Sequence, residues 1–237
     1  MLSSNGKYIL NLDHDDMFFD EDVFKKLYLS ARKDNFDIIS FIEVQGNDYY
    51  ISSEKMVDGV CTHHPDGLTV YQPELSYYTL FKKDSFSSVD IQIWGKLFKA
   101  QVYKNAVNLL GKERYSVFNS INEDNIALFA ICKIAQSYKY RRIYGLFHFI
   151  SGSSASHTVS YTHKVNMIIF FCDIIFELSN NNNKKYAAIA AIKLTKYHFD
   201  NRTKEYLFSF LKKIKDCKFI AKKYKKKLLK LYKEFKL

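Results

Sequence analysis

Proline and glycine are scarce in this chain, with two prolines and eight glycines among 237 residues. Long linkers and low-complexity disordered regions are rich in these residue types, so the composition argues against both. Hydrophobic residues make up 47% of the chain, which is enough for a substantial core. The length suits one good-sized domain or a domain with an appendage.

Paired cysteines and long hydrophobic runs are also lacking. The four cysteines are far apart and form no C-x-x-C pair, which argues against a zinc site and indicates free thiols in a reducing compartment. The most apolar stretch, 167–178, is too short to span a bilayer and contains two acids, so it predicts a core helix. The N-terminus shows no basic, apolar leader, and we therefore expect a cytoplasmic protein.

The positive charge of the chain is concentrated in its last 26 residues. The formal net charge is +11, and residues 212–237 hold 12 lysines and two acids, a net charge of +10. The rest of the chain is nearly neutral, with 24 basic and 23 acidic residues. A nucleic-acid partner is not expected, because the tail has no arginine and no recognition motif is visible.

The lysine-rich tail has the pattern of a basic amphipathic helix. From residue 219 onward, apolar side chains recur every three or four positions and lysines fill most of the others. Such a helix either packs on the body of the protein with its lysines in solvent, or adsorbs to an anionic membrane surface. Peripheral contact with the membrane is therefore an expectation for this segment.

An acidic cluster follows the first apolar run of the chain. Residues 8–12 are mostly apolar and are followed at once by Asp13, Asp15 and Asp16. A buried strand that delivers carboxylates to a site at its C-terminal edge has this pattern. Asp13 and Asp15 can bind one hard divalent cation together. A helix N-cap with extra acids is the alternative, whereas a calcium loop needs glycine where Phe18 stands.

The first 42 residues predict a strand–helix–strand unit of the α/β class. Residues 7–12 and 38–42 are the predicted strands, and 20–33 is a helix with Asp20 as its N-cap. The crossover is long enough for the two strands to pair in parallel. The apolar stripe predicted for the helix consists of Val23, Phe24, Leu27 and Ala31.

The rest of the chain divides at residue 156 into an α/β region, 1–156, and an all-helical region, 157–237. Residues 45–90 predict a loop-rich excursion of the kind that covers a site. The further predicted elements are an apolar run at 91–98, helices at 100–110 and 122–135, and a strand at 139–150. Breaks in the helical region are predicted at 180–183 and 200–201.

Three segments, taken together and in this order, resemble family 2 glycosyltransferases. Residues 6–18, G-K-Y-I-L-N-L-D-H-D-D-M-F, are similar to that family's G-K-Y-I-x-x-L-D-x-D-D segment. Residues 93–98, I-W-G-K-L-F, resemble its W-x-K-L-F/Y segment, and residues 123–125 resemble its E-D-N motif. The aromatic strand and the serine-rich turn at 151–156 also stand where the family has such elements.

The resemblance covers about residues 5–156 and implies the GT-A fold of nucleotide-diphospho-sugar transferases, here a partial Rossmann-like mixed sheet with flanking helices. It implies that Asp13 and Asp15 form the D-x-D element that holds Mn²⁺ or Mg²⁺ against the donor diphosphate. It also implies inverting transfer of the sugar to a glycan or lipid-linked acceptor. The residues expected to serve the site are Asp124 as the base, Glu123 as the alternative base, and Asp16, Trp94 and Lys96 as substrate-contacting residues.

The family's N-terminal signatures I-I-x-P-x-Y-N and D-D-G-S, which bind the nucleobase and ribose, do not occur in this sequence. We therefore expect weak donor binding by the chain alone. Three explanations stay open: the chain is a fragment or gene-split product, it pairs with a partner chain that supplies this half, or it no longer binds a donor. The non-enzymatic alternative is a catalytically inactive relative that acts as a membrane- or partner-binding module.

The tail yields the first testable prediction. If it adsorbs to membranes, the full chain co-sediments with vesicles containing anionic lipid, and a chain without the tail does not. The attraction to an anionic surface falls as salt is raised, so sedimentation at low and high salt provides the control. Equal binding by the two chains would contradict a membrane role for the tail.

Overall fold

The computed structural model describes residues 5–14, 16–46, 65–72, 93–111, 123–149, 161–178, 184, 201–214, 226 and 230. These residues form six strands and five helices in a mixed α/β arrangement, as the sequence predicts. In chain order they are β1 (Tyr8–Leu10), β2 (Met17–Phe18), α1 (Val23–Asp34), β3 (Ile38–Gly46), β4 (Thr69–Tyr71), β5 (Lys96–Lys99), α2 (Ala100–Leu110), α3 (Glu123–Ile134), β6 (Ser137–Phe149), α4 (Tyr161–Leu178) and α5 (Asn201–Ile214).

The six strands form one mixed sheet in which β3 and β6 are the parallel pair. The strand order is β1-β5-β3-β6-β2, and β4 pairs with the beginning of β6. β5 is antiparallel to both β1 and β3, and β2 is antiparallel to the end of β6. Because β3 and β6 are parallel, their carboxyl ends lie at the same edge of the sheet.

The predicted pairing of the first two strands is wrong in one respect, because β5 lies between β1 and β3. The backbone N–H of Lys99 donates to the carbonyl of Asp37 at 2.9 Å, and the Lys99 ammonium donates to the Asp37 carboxylate at 2.8 Å. These contacts fasten the end of β5 to the start of β3. β1 and β3 still run in the same direction, since each is antiparallel to β5.

Helix α1 begins at Val23, three residues later than predicted. The carboxylate of Asp20 accepts the backbone N–H of Asp22 at 2.8 Å in a turn that precedes the helix, so Asp20 is not the N-cap. The helix ends at a left-handed Asn35 with φ 54°, whose N–H donates to the carbonyl of Ala31.

The buried stripe of α1 is narrower than predicted. Val23, Leu27 and Ala31, spaced by four, are fully buried against the sheet. Phe24 is 52% exposed, because it follows Val23 by one residue and its side chain therefore points away from the buried stripe. Its ring packs instead on the ring of Phe18, with centroids 4.5 Å apart.

The two faces of the sheet carry different helices. On one face, α1 covers a core cluster. Its buried members are Val23, Leu27, Ala31, Ile39, Phe41, Trp94, Leu97 and Leu146. Phe98 follows Leu97 in β5 and therefore faces the other way, where its ring contacts Tyr103 of α2. Helices α2 and α3 pack against each other.

The chain divides into two compact units, one with the whole sheet and α1–α3, the other with α4 and α5. In the second unit, the ammonium of Lys213 lies 2.8 Å from Asp173 and 3.1 Å from Glu177. Rings of Phe176 and Phe210 meet edge to face. Among the helices described, none is both long enough and apolar enough to cross a membrane.

Several predicted segments lie outside the described residues. They include most of the 45–90 excursion, the turn at 151–156 and the break at 180–183. Of the lysine-rich tail, only Lys226 and Lys230 are described, and both are helical and exposed. The division into regions at residue 156 and the membrane role of the tail stay predictions.

Gly95, which directly precedes β5, lies close against β3. Its φ is +67°, which disfavours residues with a Cβ, and a Cβ at this position would overlap the carboxylate of Glu43. Its carbonyl accepts the N–H of Phe41 at 3.1 Å and the hydroxyl of Ser40 at 3.4 Å. The glycine therefore lets the chain run close beside β3 and then enter β5.

Replacing Gly95 by alanine should destabilise the protein strongly. We expect a loss of about 3 kcal/mol in the free energy of unfolding, since backbone strain and steric overlap act together. Gly111→Ala is the matched control, because Gly111 has φ +77° but no described atom within 4 Å of an added Cβ. Its loss should be about 1–2 kcal/mol, from strain alone. Urea denaturation measures both, and equal losses would contradict the overlap at Gly95.

Candidate functional site

The acidic cluster forms a tight turn between β1 and β2. The backbone N–H of Asp16 donates to the carbonyl of Asp13 at 3.1 Å, and β2 begins at the next residue. Aspartate favours such turns because its side chain can bond to nearby backbone groups. Asp13 and His14 are exposed in this turn, whereas Asp15 lies outside the described residues. The turn thus presents its first carboxylate to solvent.

Pairing of β2 with β6 brings Asp16 to His148. Met17 lies opposite Phe147 in the antiparallel ladder, so the residues just beyond them are neighbours. One carboxylate oxygen of Asp16 lies 2.7 Å from Nδ1 of His148. The Asp16 side chain has no exposed surface, and that of His148 is 23% exposed. The other carboxylate oxygen of Asp16 is buried and has no hydrogen-bond partner among the described residues.

The ring of Trp94 packs against one face of the His148 imidazole. The two rings are stacked with centroids 4.5 Å apart and an interplanar angle of 13°. Trp94 is only 7% exposed and belongs to the core cluster under α1. The structure therefore joins two predicted site residues, Asp16 and Trp94, through a histidine that the sequence analysis did not single out. Of the two stacked rings, the imidazole is the more exposed to solvent.

Lys96 is placed on the other face of the sheet. It is fully buried in β5 and precedes Leu97, which belongs to the α1 cluster, so its side chain faces α3. Burial raises the pKa of the Cys132 thiol in α3 to about 12, and the positive charge of Lys96 lowers this pKa only in part. Cys132 is therefore a protonated, buried thiol and not a nucleophile. A substrate-binding role for Lys96 stays a prediction.

The two predicted bases open helix α3. Glu123 is its first residue, and Asp124 follows with a half-buried side chain. The positive end of the helix dipole lies here and favours a charged carboxylate. Asp124 as the base and Glu123 as its alternative remain predictions.

His148 had a weak signal in the sequence. It stands in a strand that is otherwise rich in tyrosine and phenylalanine, close to the carboxyl end, where polar side chains commonly serve a site. Its significance comes from Asp16, which is 132 residues away along the chain. A single sequence does not show which residues of two distant strands lie opposite each other, so it does not predict this contact.

The residues of the turn suit a hard divalent cation. Carboxylate oxygens are the ligands that Mg²⁺ and Mn²⁺ prefer, Asp13 is exposed, and Asp16 has a buried oxygen without a described partner. Over the described part of the chain, no group of three or more His, Cys, Asp or Glu side chains is arranged to hold a metal ion. That part does not include Asp15, so a pair formed by Asp13 and Asp15 stays a prediction.

Comparison with known proteins gives a structural likeness only. No family model matches the chain, and no curated protein matches its sequence. Among solved structures, the chain is similar to S. aureus TarS (residues 1–349) in complex with UDP-GlcNAc, with a TM-score of 0.51 and 10% sequence identity. The match covers 93% of this chain and 60% of the TarS chain. This likeness shows the fold alone, and it confirms the GT-A-like mixed α/β fold that the three sequence motifs imply.

Proposed function

We propose that the chain transfers a sugar from a nucleotide-diphosphate donor to a glycan or lipid-linked acceptor, with inversion at the anomeric carbon. The observation that carries the proposal is the contact of Asp16 with His148. It fixes the acidic turn after β1 at the carboxyl end of β6, in a fold shared with a nucleotide-sugar enzyme. Open α/β sheets bind their ligands at this edge.

In this proposal Asp13 and Asp15 hold the Mn²⁺ or Mg²⁺ cofactor. When bound, the cation neutralises negative charge that grows on the leaving nucleoside diphosphate. Two carboxylates spaced two residues apart in the sequence supply charged oxygens of the kind that such a cation prefers. The neighbouring Asp16 is engaged with His148 and helps to fix the turn at the sheet.

Asp124 is the proposed base, and Glu123 is the alternative. The base takes the proton of the acceptor hydroxyl, and the resulting oxygen attacks the anomeric carbon. The bond from that carbon to the phosphate oxygen breaks on the opposite face, so the configuration inverts. The position of Asp124 in the first turn of α3 supports this role, since the helix N-terminus favours the charged carboxylate that must accept the proton.

UDP-GlcNAc is the first donor to test, because TarS was solved with it. We expect weak binding, because the nucleobase- and ribose-binding signatures do not occur in this sequence. This binding should depend on Mn²⁺ and be weakened further, at least about tenfold, by Asp13→Asn or Asp15→Asn, as loss of a charged ligand predicts. Isothermal calorimetry with and without Mn²⁺ measures this, and release of GlcNAc from the donor reports turnover.

Asp22→Asn is the matched control for these variants. Asp22 is an exposed acid in the same segment, and its side chain makes no cap hydrogen bond. It should bind the donor like the unaltered chain. The proposed site would be contradicted if donor affinity were the same with and without Mn²⁺ and the same in Asp13→Asn and Asp15→Asn as in the unaltered chain. Metal-dependent binding with no transfer of GlcNAc either to an added glycan acceptor or to water would favour the non-catalytic binding module.

A further inference from the structure

We propose that the outer side of helix α1 is a contact surface for an anionic phospholipid bilayer. The inference uses none of the residues assigned to the metal, the donor or the acceptor. It is also separate from the membrane prediction for the lysine-rich tail, because it rests on described residues of α1 and of the adjoining strands.

Helix α1 exposes three large apolar side chains. Phe24 is 52% exposed, Tyr28 is 46% exposed and Leu29 is 52% exposed. They are three of the seven large hydrophobic side chains that are exposed in the described part of the chain. Single exposed apolar residues are common, but a contiguous group of them marks a surface that contacts a partner.

The exposed rings of α1 are held in place by rings from the sheet. Phe24 packs on Phe18 of β2 with centroids 4.5 Å apart, and Tyr28 meets Tyr8 of β1 edge to face with centroids 6.1 Å apart. Phe24 and Tyr28 are four residues apart and are therefore neighbours on one side of the helix. The four rings form one aromatic strip whose side chains are positioned before any partner binds.

Basic side chains flank this aromatic strip. The ammonium of Lys7 lies 5.9 Å from the ring centroid of Tyr8, and Lys25, Arg32 and Lys33 are exposed on α1. Within the described part of the chain, none of the three basic residues on α1 forms an ion pair or a hydrogen bond through its side chain. Four positive charges therefore stand beside the exposed rings.

The acids of this region leave most of that positive charge in place. The carboxylate of Asp34 lies 2.9 Å from each of two basic side chains of β6, and that of Asp20 lies 2.7 Å from Lys26. Glu21 and Asp22 are exposed but precede the helix, where the positive end of its dipole favours them. The outer side of α1 is therefore most positive toward its C-terminal end.

A lipid bilayer suits this combination of side chains. Tyrosine rings lie at the level of lipid head groups, and lysine and arginine are attracted to anionic lipids. A convex helix can rest on a flat bilayer, whereas a protein partner would need a matching acidic groove. Nucleic acid is disfavoured, because the chain before its last 26 residues is nearly neutral. With only three exposed apolar side chains on the helix, binding should require anionic lipid.

A tryptophan in place of Leu29 tests whether this side of α1 contacts lipid. The chain has one tryptophan, the buried Trp94, so Leu29→Trp in the full chain adds a single exposed indole. Its fluorescence should be quenched by vesicles of phosphatidylglycerol and brominated phosphatidylcholine in equal parts. Asn108→Trp is the matched control, since it adds an exposed indole to α2 on the other face of the sheet, and it should stay unquenched.

The variant Lys33→Gln tests the electrostatic part of the contact. It should weaken the affinity for these vesicles about fivefold, the contribution of one basic residue near an anionic surface. Lys104→Gln removes the same charge from α2 and should leave the affinity unchanged. Co-sedimentation of the full chain with unbrominated vesicles measures both, and vesicles of phosphatidylcholine alone should not bind the chain.

Several results would overturn the inference. Vesicle binding that leaves Leu29→Trp unquenched, or that quenches Asn108→Trp equally, would place the contact on another segment. Absence of vesicle binding, or an unchanged affinity in Lys33→Gln, would also refute it. Binding of single-stranded RNA that Lys33→Gln weakens, without vesicle binding, would make this side a nucleic-acid surface. All these measurements omit UDP-GlcNAc and Mn²⁺, so their failure is distinguishable from failure of the proposed function.

Discussion

The close packing of Gly95 against β3 is the constraint on which the rest of this structure depends. No side chain fits between its Cα and the carboxylate of Glu43, and its positive φ turns the chain from Trp94 into β5. Trp94 thereby enters the core under α1, while β5 continues between β1 and β3. A substituent here would have to displace the buried side chain of Glu43 and would strain the backbone next to Trp94.

The candidate site follows from this arrangement by a short series of contacts. Trp94 offers one ring face to His148, and His148 holds Asp16 at the end of β6. Asp16 in turn fixes the acidic turn at the edge where the parallel strands β3 and β6 both end. Core packing and ligand chemistry are thus linked: the same tryptophan belongs to the hydrophobic cluster and orients a polar group at the surface.

Local patterns in the sequence were sufficient for much of the fold. The helix predicted at 100–110 is α2, and the acidic cluster indeed follows a strand, because periodicity and turn chemistry act over a few residues. The position of β5 was missed, since strand order depends on contacts between distant segments such as Lys99 and Asp37. His148 was missed for the same reason, and Phe24 was assigned to the core because a one-residue rotation separates it from the buried stripe.

The most direct test of the central claim is a crystal structure of the full chain grown with UDP-GlcNAc and Mn²⁺. The account predicts an anomalous manganese peak beside the carboxylates of Asp13 and Asp15, with the diphosphate of the donor bound at the same edge of the sheet. Donor density elsewhere on the sheet, or a manganese ion bound away from these two carboxylates, would contradict it.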